Sequence, residues 1–445
     1  MSPFFEKKFL IVGMGLSGKS AAAFLLAQGA IVYGSDRNSQ LFETDPELLL
    51  FKKKGVFLCS ENDCKDVSFF DGVILSPGIP SSHALIEAAK KARIPVMGEI
   101  ELGCREIKNP VIGITGTNGK TTVTLLIEHI LNHSGTKACA LGNVGKPFTE
   151  GLLGLSNETA IILELSSYQL ETLSAPSLTA GIILNISPDH LDRYHTMDAY
   201  ARAKCGIERA LKAQAPLWME EAAQDLFGGL LKKIKPFTYG YSPSSRIYSD
   251  LSFVYRSGKK VFELPEHLKH KKSHDLENML GAYALCDHFG VSSDHFIEGF
   301  NSFKKPSHRI EFVVEKKGVR YFDDSKGTNV DAVIRAVQSL EGPIVLIAGG
   351  VDKGSSYTPW IEIFTNKVKL ICAIGQAAGK MHAQLSKAFP VLILNSLEDA
   401  VKEAAKCAQI GDNVLLSPGC SSYDMYKDYI QRGNHFQHVV RNLSL

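Results

Sequence analysis

Several features that would assign this 445-residue sequence to a specialised class of protein are missing. No uninterrupted apolar run is long enough to cross a bilayer, and residues 1–8 form no secretory signal. The nine cysteines include no Cys-x-x-Cys pair, which argues against both zinc knuckles and a disulfide framework. A net charge of +2 gives no reason to expect nucleic acid or an anionic membrane as a partner. We therefore expect a cytoplasmic protein with free, mostly buried thiols.

What remains is the composition of a globular enzyme with more than one domain. Hydrophobic residues make up 44% of the chain and charged residues 22%, and 445 residues are too many for one core. Apolar strand-like runs alternate with helical patterns, which predicts an α/β fold of three domains. In order, these are a Rossmann-like nucleotide-binding domain at residues 1–99, a central P-loop ATPase-like domain with a mostly parallel sheet at 100–305, and a C-terminal Rossmann-like domain at 306–445. In the central domain, apolar runs indicate strands at residues 111–115, 160–165 and 181–185.

A glycine-rich loop between a predicted strand and a predicted helix is the most informative motif. It reads Gly-Ile-Thr-Gly-Thr-Asn-Gly-Lys-Thr-Thr at residues 113–122. Such a loop directs backbone N–H groups and a helix N-terminus at a phosphate, with Lys120 reaching the outer phosphates and Thr121 ligating Mg²⁺. The common spacing would place glycine at position 114, whereas this sequence has Ile114 and displaces the glycine to Gly113. The motif nevertheless predicts a nucleoside triphosphate as a substrate.

A second glycine loop lies near the N-terminus. Residues 13–18 read Gly-Met-Gly-Leu-Ser-Gly, and Asp36 ends the next strand about 20 residues on, as in a dinucleotide fingerprint. Alone, this pattern suggests an NAD enzyme, but the same backbone geometry binds any nucleotide diphosphate. The segment 76–80 follows another predicted strand, where a binding crevice is expected.

Four polar side chains of the central domain are candidate ligands, each with a structural alternative. Glu164 ends an apolar strand, so it either makes a structural hydrogen bond or ligates Mg²⁺, and the nearby phosphate loop favours the metal. Asp189 and His190 follow a strand end, where both ligands and ordinary turns occur. Lys204 lies on a predicted helix, where residue physics alone favours a surface lysine.

Three strand ends of the C-terminal domain carry glycine, hydroxyl and lysine groups. They are residues 323–329, 349–353 and 417–422. Because parallel strands end at the same edge of a sheet, these groups form one polar, cationic rim. Such a rim suits a substrate with several carboxylates.

Taken together, these motifs resemble the Mur ligases, ATP-dependent amide-forming enzymes of peptidoglycan synthesis. The resemblance rests on residues 116–121, Glu164 to Ser167, His308-Arg309 and the N-terminal glycine loop, in the expected order over nearly the whole chain. Within the family, Asp-Ser-Lys-Gly-Thr-Asn at residues 324–329 distinguishes this chain from ligases that carry Tyr-Ala-His or Tyr-Asn-Ala there. Residues 417–424 with Arg432-Gly433 point the same way.

The resemblance implies ATP, two Mg²⁺ ions and a carbamylated lysine. The catalytic residues would be Lys120, Glu164, His190 and Lys204. The metal ligands would be Thr121, Glu164, His190 and the carbamylated Lys204, and either His190 or the carbamate would act as the general base. ATP would contact Gly116, Thr117, Asn118, Gly119, Lys120, Thr121, Thr122, Asn143, Asn278, Arg309 and Asp324.

It also implies UDP-N-acetylmuramoyl-L-alanine and D-glutamate as the other substrates, joined through an acyl phosphate by a monomeric enzyme. The first domain would then bind UDP rather than NAD, through Leu16, Ser17, Asp36, Arg37 and Gly78. The third would bind glutamate and close over ATP, through Lys326, Thr328, Lys353, Ser422 and Tyr429.

Some positions depart from the family pattern, and other functions remain to be weighed. Asp275 stands where relatives often have asparagine, and Tyr423 and Tyr429 stand where leucine and phenylalanine are common. The alternatives are an NAD-dependent oxidoreductase, a folylpolyglutamate synthase-like ligase and a non-enzymatic nucleotide switch. The second normally lacks an N-terminal nucleotide domain, which this chain has.

Overall fold

The computed structural model describes residues 2–64, 66–80 and 82–443. Within them the strands form three mostly parallel sheets, and helices follow most strands, so the predicted α/β fold of three domains is confirmed. By compactness these residues divide into two units. The first comprises the chain up to residue 185 with 201–303, and the second comprises 186–200 with the chain from 304 onward. The boundaries at 99/100 and 305/306 stay predictions.

The first sheet has five parallel strands in the order β3-β2-β1-β4-β5. The glycine loop follows its central strand. The elements are β1 Lys8–Val12, α1 Leu16–Ala27, β2 Ile31–Asp36, α2 Leu41–Thr44, α3 Pro46–Lys53, β3 Phe57–Ser60, β4 Gly72–Leu75, α4 Ala84–Lys91 and β5 Val96–Gly98.

The second sheet has nine strands in the order β14-β13-β12-β11-β10-β9-β6-β8-β7, parallel from β7 to β12 and antiparallel beyond. Its elements are α5 Glu99–Cys104, β6 Val111–Thr115, α6 Lys120–His133, β7 Ala138–Gly142, α7 Phe148–Leu152, β8 Ala160–Glu164, α8 Ser167–Glu171, β9 Ala180–Ile183, α9 Leu191–Tyr194, α10 Met197–Cys205, β10 Leu217–Glu220, α11 Glu221–Phe227, β11 Phe237–Gly240, β12 Ile247–Ser249, β13 Phe253–Arg256, β14 Lys259–Glu263, α12 His274–His288 and α13 Ser293–Ser302. The three predicted strands are present, but the sheet is larger than predicted. The sequence did not indicate strands such as β14, because they mix charged and apolar residues and lack a buried run.

The third sheet has six strands in the order β15-β16-β20-β17-β18-β19. The pair β15–β16 is antiparallel and the other pairs are parallel. The elements are β15 Glu311–Lys316, β16 Val319–Asp323, α14 Val330–Ser339, β17 Ile344–Gly349, α15 Pro359–Phe364, β18 Val368–Ile374, α16 Ala378–Leu385, β19 Val391–Ile393, α17 Leu397–Cys407, β20 Asn413–Leu416 and α18 Tyr429–Arg441.

One cysteine pair contradicts the expectation of free thiols. Cys59 at the end of β3 and Cys64 in the turn that follows form a disulfide. The other seven cysteines, all among the described residues, are free, and five of these are buried. A spacing of five residues is not a disulfide signature. The two cysteines meet because the turn after β3 brings them together.

A buried carboxyl group links the helices of the first two sheets within the first unit. Glu99, at the start of α5, accepts hydrogen bonds from the backbone N–H of Thr149 at 2.6 Å and from its hydroxyl at 2.7 Å. The Thr149 hydroxyl also contacts the Ser20 hydroxyl of α1 at 2.6 Å. Burial raises the pKa of Glu99 to about 7. The protein therefore folds with this carboxyl group protonated at acidic pH.

We expect Glu99→Gln to flatten the pH dependence of stability. Because the folded-state pKa of about 7 exceeds the ordinary value of 4.5, the folded protein holds this proton more tightly than the unfolded chain. Stability is then greatest below pH 4.5 and falls as pH rises towards 7, with a limiting slope of about 1.4 kcal/mol per pH unit. Thermal midpoints between pH 5 and 8 measure the slope, and the exposed Glu158→Gln is the control. An unchanged slope in Glu99→Gln would contradict this assignment.

Candidate active site

The phosphate loop has the backbone conformation that only glycine adopts readily. It connects β6 to α6, and Gly119, which precedes α6, is left-handed with φ +87°. A side-chain carbon at Gly119 would also lie 2.3 Å from the Asn278 amide oxygen. Glycine is therefore required here by conformation and by space, and Asn278, whose contact with ATP stays a prediction, lies against the loop.

The irregular glycine of the motif has a packing role. Ile114 lies inside β6, fully buried, and pairs with Glu164 of β8 and Ile182 of β9. At Gly113 a side-chain carbon would lie 2.7 Å from the Leu178 side chain. Gly113 therefore admits a neighbouring side chain, whereas Gly116 and Gly119 shape the loop itself.

Two lysine ammonium groups converge on one carbonyl of this loop. Lys120 donates to the carbonyl oxygens of Gly116 and Thr117, both at 2.9 Å. Lys204 donates to the same Gly116 oxygen at 2.7 Å. Only 1% of Lys204 is exposed, so its interpretation as a surface lysine is wrong. Because burying an ammonium group is unfavourable, a lysine held beside a phosphate loop indicates a function.

Glu164 presents an unsatisfied carboxylate oxygen next to the loop. The side chain is buried, and its Oε1 accepts a hydrogen bond from the Asn143 amide at 2.8 Å. In the part of the chain that the structure describes, its Oε2 is buried without a hydrogen-bond partner. A buried carboxylate oxygen without a donor is the environment that a hard cation such as Mg²⁺ satisfies. The residues present therefore fit a magnesium ion.

Asn185 stabilises the phosphate loop through hydrogen bonds, a role that the sequence did not reveal. Its carbonyl accepts the Thr117 N–H at 2.9 Å, and its amide oxygen accepts the Asn118 N–H at 2.8 Å. Its amide nitrogen donates to the Asn118 carbonyl at 2.9 Å. Its position just beyond β9 was the one available signal.

The N-terminal glycine loop lies at the carboxyl end of β1, the central strand of the first sheet. Asp36 accepts the Met14 N–H at 2.8 Å, and the Ser76 hydroxyl donates to the Gly13 carbonyl at 2.7 Å. A side-chain carbon at Gly18 would lie 2.0 Å from that carbonyl oxygen. Of the remaining predicted UDP contacts, Leu16, Arg37 and Gly78 are exposed and Ser17 is half-buried.

In the second unit, Asp189 connects two of the strand-end loops. Its Oδ1 accepts a hydrogen bond from the Lys353 ammonium at 3.1 Å, and its Oδ2 accepts one from the Asn329 amide at 3.3 Å. The adjacent His190 has φ +53° and precedes α9. Asp189 is therefore more than a turn residue. The predicted ligands divide between the units, because the predicted ATP contacts Arg309 and Asp324 and the predicted metal ligand His190 belong to the second.

A buried arginine fixes the loops that carry the predicted glutamate ligands. Arg432 donates to the Ser325 carbonyl at 2.9 Å and to its hydroxyl at 3.0 Å, and also to the Cys420 carbonyl at 3.3 Å. The Lys326 ammonium lies 3.9 Å from the centre of the Tyr429 ring. The segments around residues 325 and 420 are thus held together beneath Lys326, Thr328 and Ser422.

Asp324 and its neighbours form a second charged cluster. Asp324 is buried and accepts the Ser417 hydroxyl at 2.6 Å, and burial raises its pKa to about 7 although the charge of Arg309 opposes this shift. His308 donates from Nδ1 to Asp323 at 2.6 Å, and this hydrogen bond raises the pKa of His308. Arg309 lies between two residues of positive φ, so its backbone position is specific.

Comparison with known proteins identifies the family to which this geometry belongs. Three family models match successive segments: the MurD-like N-terminal domain of Mur ligases at residues 7–98, the Mur ligase middle domain at 114–286, and the glutamate ligase domain of Mur ligases at 308–420. A UDP-N-acetylmuramoylalanine–D-glutamate ligase from Protochlamydia amoebophila is 50% identical over 440 residues, or 99% of each chain. The chain belongs to the Mur ligase family.

Other relatives agree with this membership. A UDP-N-acetylmuramoylalanine–D-glutamate ligase from Caldanaerobacter subterraneus is 36% identical and covers 98% of this chain and 99% of its own. The fold is similar to that of UDP-N-acetylmuramate-alanine ligase from Thermotoga maritima, with TM-score 0.61, 20% identity and coverage of 98% and 99%. The MurF ligase of the same organism, solved with ADP, gives TM-score 0.61 at 16% identity, with coverage of 99% and 96%.

The positions that depart from other Mur ligases are accommodated without disturbing the site. Asp275 lies in the first turn of α12, where a negative charge complements the helix dipole. Tyr423 is exposed, and Tyr429 begins α18 with its carbonyl accepting the Ser325 hydroxyl at 2.8 Å. Each helix of this Mur ligase, among the described residues, is too short or too polar to cross a membrane.

Proposed function

We propose that this Mur ligase joins D-glutamate to UDP-N-acetylmuramoyl-L-alanine, using ATP, in peptidoglycan precursor synthesis. The observation that carries the proposal is full-length identity of 50% to a ligase of that name. The site supports it independently, because a phosphate loop, an unsatisfied buried carboxylate oxygen and a cationic rim occur in one chain. The enzyme is proposed to act as a monomer in the cytoplasm.

In this proposal the phosphate loop and its neighbours bind ATP and magnesium. Thr121 and Glu164 would be ligands of one ion, and His190 and a carbamylated Lys204 would be ligands of a second. Carbamylation would turn a buried cation into an anionic ligand, which suits the buried position of Lys204. When bound, the ions supply positive charge that screens the phosphates. ATP also contacts Thr122, Asn143, Asn278, Arg309 and Asp324.

The reaction has two steps, in which charge repulsion is the first obstacle. The muramoyl-alanine carboxylate attacks the γ-phosphorus, the bond to the bridging oxygen breaks, and an acyl phosphate and ADP form. Two anions approach each other, so Lys120 exchanges its loop carbonyls for phosphate oxygens and Arg309 adds a second positive charge.

In the second step, the amine of D-glutamate attacks the acyl carbon and phosphate leaves. The amine must be neutral, so His190 or the Lys204 carbamate accepts its proton. Lys326, Thr328, Lys353, Ser422 and Tyr429 bind the glutamate. The pairing of Lys353 with Asp189 supports this role, because it keeps an ammonium group at the rim that a substrate carboxylate can take over.

Phosphate release with UDP-N-acetylmuramoyl-L-alanine and a panel of amino acids tests the proposal. We expect release that depends on D-glutamate and on Mg²⁺, because the rim is cationic and suits a dicarboxylate. Activity only with meso-diaminopimelate or lysine would assign the chain to another Mur ligase activity. Binding of NAD in preference to UDP would favour an oxidoreductase, and nucleotide binding without turnover would favour a switch.

A further inference from the structure

The loop that carries Lys353 is stabilised by hydrogen bonds of the preceding residue, Asp352. Asp352 accepts the Tyr357 hydroxyl on Oδ1 at 2.9 Å and the Lys380 ammonium on Oδ2 at 2.7 Å. Lys353 instead donates to Asp189 at 3.1 Å. Two consecutive residues of one loop therefore have different roles. Asp352 makes structural contacts, and Lys353 lies at the cationic rim formed by the strand ends.

The loop needs such support because its backbone is rich in glycine. Gly349 and Gly350 precede Asp352 with φ of +127° and +130°, and Gly354 follows Lys353 with φ +81°. Glycine restricts the backbone less than any other residue, so these neighbours do little to fix the direction of Lys353. A flexible binding loop must be ordered when its ligand binds, and that ordering weakens affinity. Contacts that order the loop beforehand avoid this loss.

Helix α16 supplies those contacts at two points. Lys380 donates to Asp352 and also to the Ser355 carbonyl at 2.9 Å. Gln384, one turn further along α16, accepts the Tyr357 N–H at 2.8 Å. The segment from Asp352 to Tyr357 is thus attached at both ends to one helix. This helix lies outside the short sequence motifs on which the resemblance to the family rested.

The hydrogen bonds around Asp352 extend to the loop that carries Ser422, another strand end of the cationic rim. Tyr357 is buried, and its hydroxyl oxygen lies 3.1 Å from the Cys420 sulfur. Burial raises the pKa of Cys420 to about 11, so it remains a thiol at neutral pH. With the Tyr357 proton donated to Asp352, the thiol donates to Tyr357. The chain of hydrogen bonds joins the Lys353 loop to the loop of Ser422.

We infer that Asp352, together with Tyr357 and Lys380, is a positioning residue that fixes Lys353 for a carboxylate of glutamate. The inference rests on the proposed function and adds a specificity element to the same site. Asp352 touches no substrate itself; it acts through the direction of Lys353. Its loss therefore affects glutamate binding far more than the binding of ATP or of the UDP-linked substrate.

Steady-state phosphate release by the full-length enzyme tests this with Asp352→Asn and Lys380→Met. We expect KM for D-glutamate to rise about tenfold, within the range found when an outer partner of a binding group is lost. We expect kcat and the KM values for ATP and the UDP-linked substrate to change less than about twofold. Lys380→Arg should restore most of the glutamate affinity, because it retains the ion pair with Asp352. Lys406→Met, which removes an exposed lysine paired with Glu403, is the matched control.

Three results would overturn the inference. One is an unchanged KM for D-glutamate in both variants. Another is an equal loss in all substrates with a lower thermal midpoint, which indicates a merely structural role. The third is failure of Lys380→Arg to improve on Lys380→Met. If Asp352→Asn does not fold, the Lys380 pair of variants decides alone. A wild-type enzyme without glutamate-dependent release would instead reject the proposed function, and the inference with it.

Discussion

Turnover of the Lys120→Ala variant is expected to fall by about 10²-fold or more, the loss found when one preorganised group that stabilises developing charge is removed. Lys120 begins α6, and its ammonium donates to two carbonyl oxygens of the phosphate loop. Under the proposed function, the substitution removes positive charge at the γ-phosphate, whereas alanine preserves the helix. The effect falls on kcat, because carboxylate attack on ATP needs this charge most in the transition state.

Phosphate-release kinetics and thermal midpoints of the same preparation separate chemistry from folding. Lys146→Ala is the control, because Lys146 is exposed and its pairing with Glu150 is long at 3.9 Å. The control should retain turnover and stability. Near-normal turnover of Lys120→Ala would reject the assignment of the phosphate loop.

The Lys204→Ala variant is expected to lose activity by up to about 10²-fold and to recover part of it with formate or acetate. Lys204 is almost fully buried and its ammonium lies 2.7 Å from the Gly116 carbonyl oxygen, so alanine leaves a cavity beside the phosphate loop. A short carboxylate in that cavity would replace the carbamate as an anionic metal ligand. An ordinary structural lysine offers no reason for rescue by an anion.

Two measurements together test the carbamate. Turnover of the wild type in buffer depleted of CO₂ should rise when bicarbonate is added, and Lys204→Ala should respond to carboxylates but not to bicarbonate. Arg202→Ala on the same helix is the control: Arg202 is exposed, and because the variant retains Lys204 it should respond to bicarbonate as the wild type does and should not respond to carboxylates. If bicarbonate has no effect on the wild type and carboxylates do not rescue the variant, Lys204 is not carbamylated.

The phosphate loop was predictable because its determinants are local. A β-branched apolar run forms β6, glycines permit the positive φ values, and helix-forming residues follow from Lys120. The same holds for the N-terminal glycine loop, where Gly18 must approach the Gly13 carbonyl closely. In both cases the relevant residues are neighbours in sequence, so spacing alone specifies the geometry.

Other features depend on residues that meet only after folding. The Cys59–Cys64 bond depends on the turn after β3, and the five strands from β10 to β14 on pairing of short, partly polar segments. Asn185 bonds to Asn118 across 67 residues, Arg432 to Ser325 across 107, and Lys380 of α16 to Asp352 across 28. No local pattern encodes such contacts.

The sequence by itself determined the α/β class, the two glycine loops and the family, because backbone conformation and hydrophobic periodicity are written into short segments. Only the tertiary structure decided the state of individual charged groups. Lys204 would be a surface lysine by its residue type, yet folding buries it against the phosphate loop. Gly113, the irregular glycine of the motif, makes room for a neighbouring side chain. Glu164 was a metal-ligand candidate by sequence, and the absence of a donor near its Oε2 among the described residues supports that role. Solvation and charge depend on everything packed around a side chain, and that environment exists only in the folded chain.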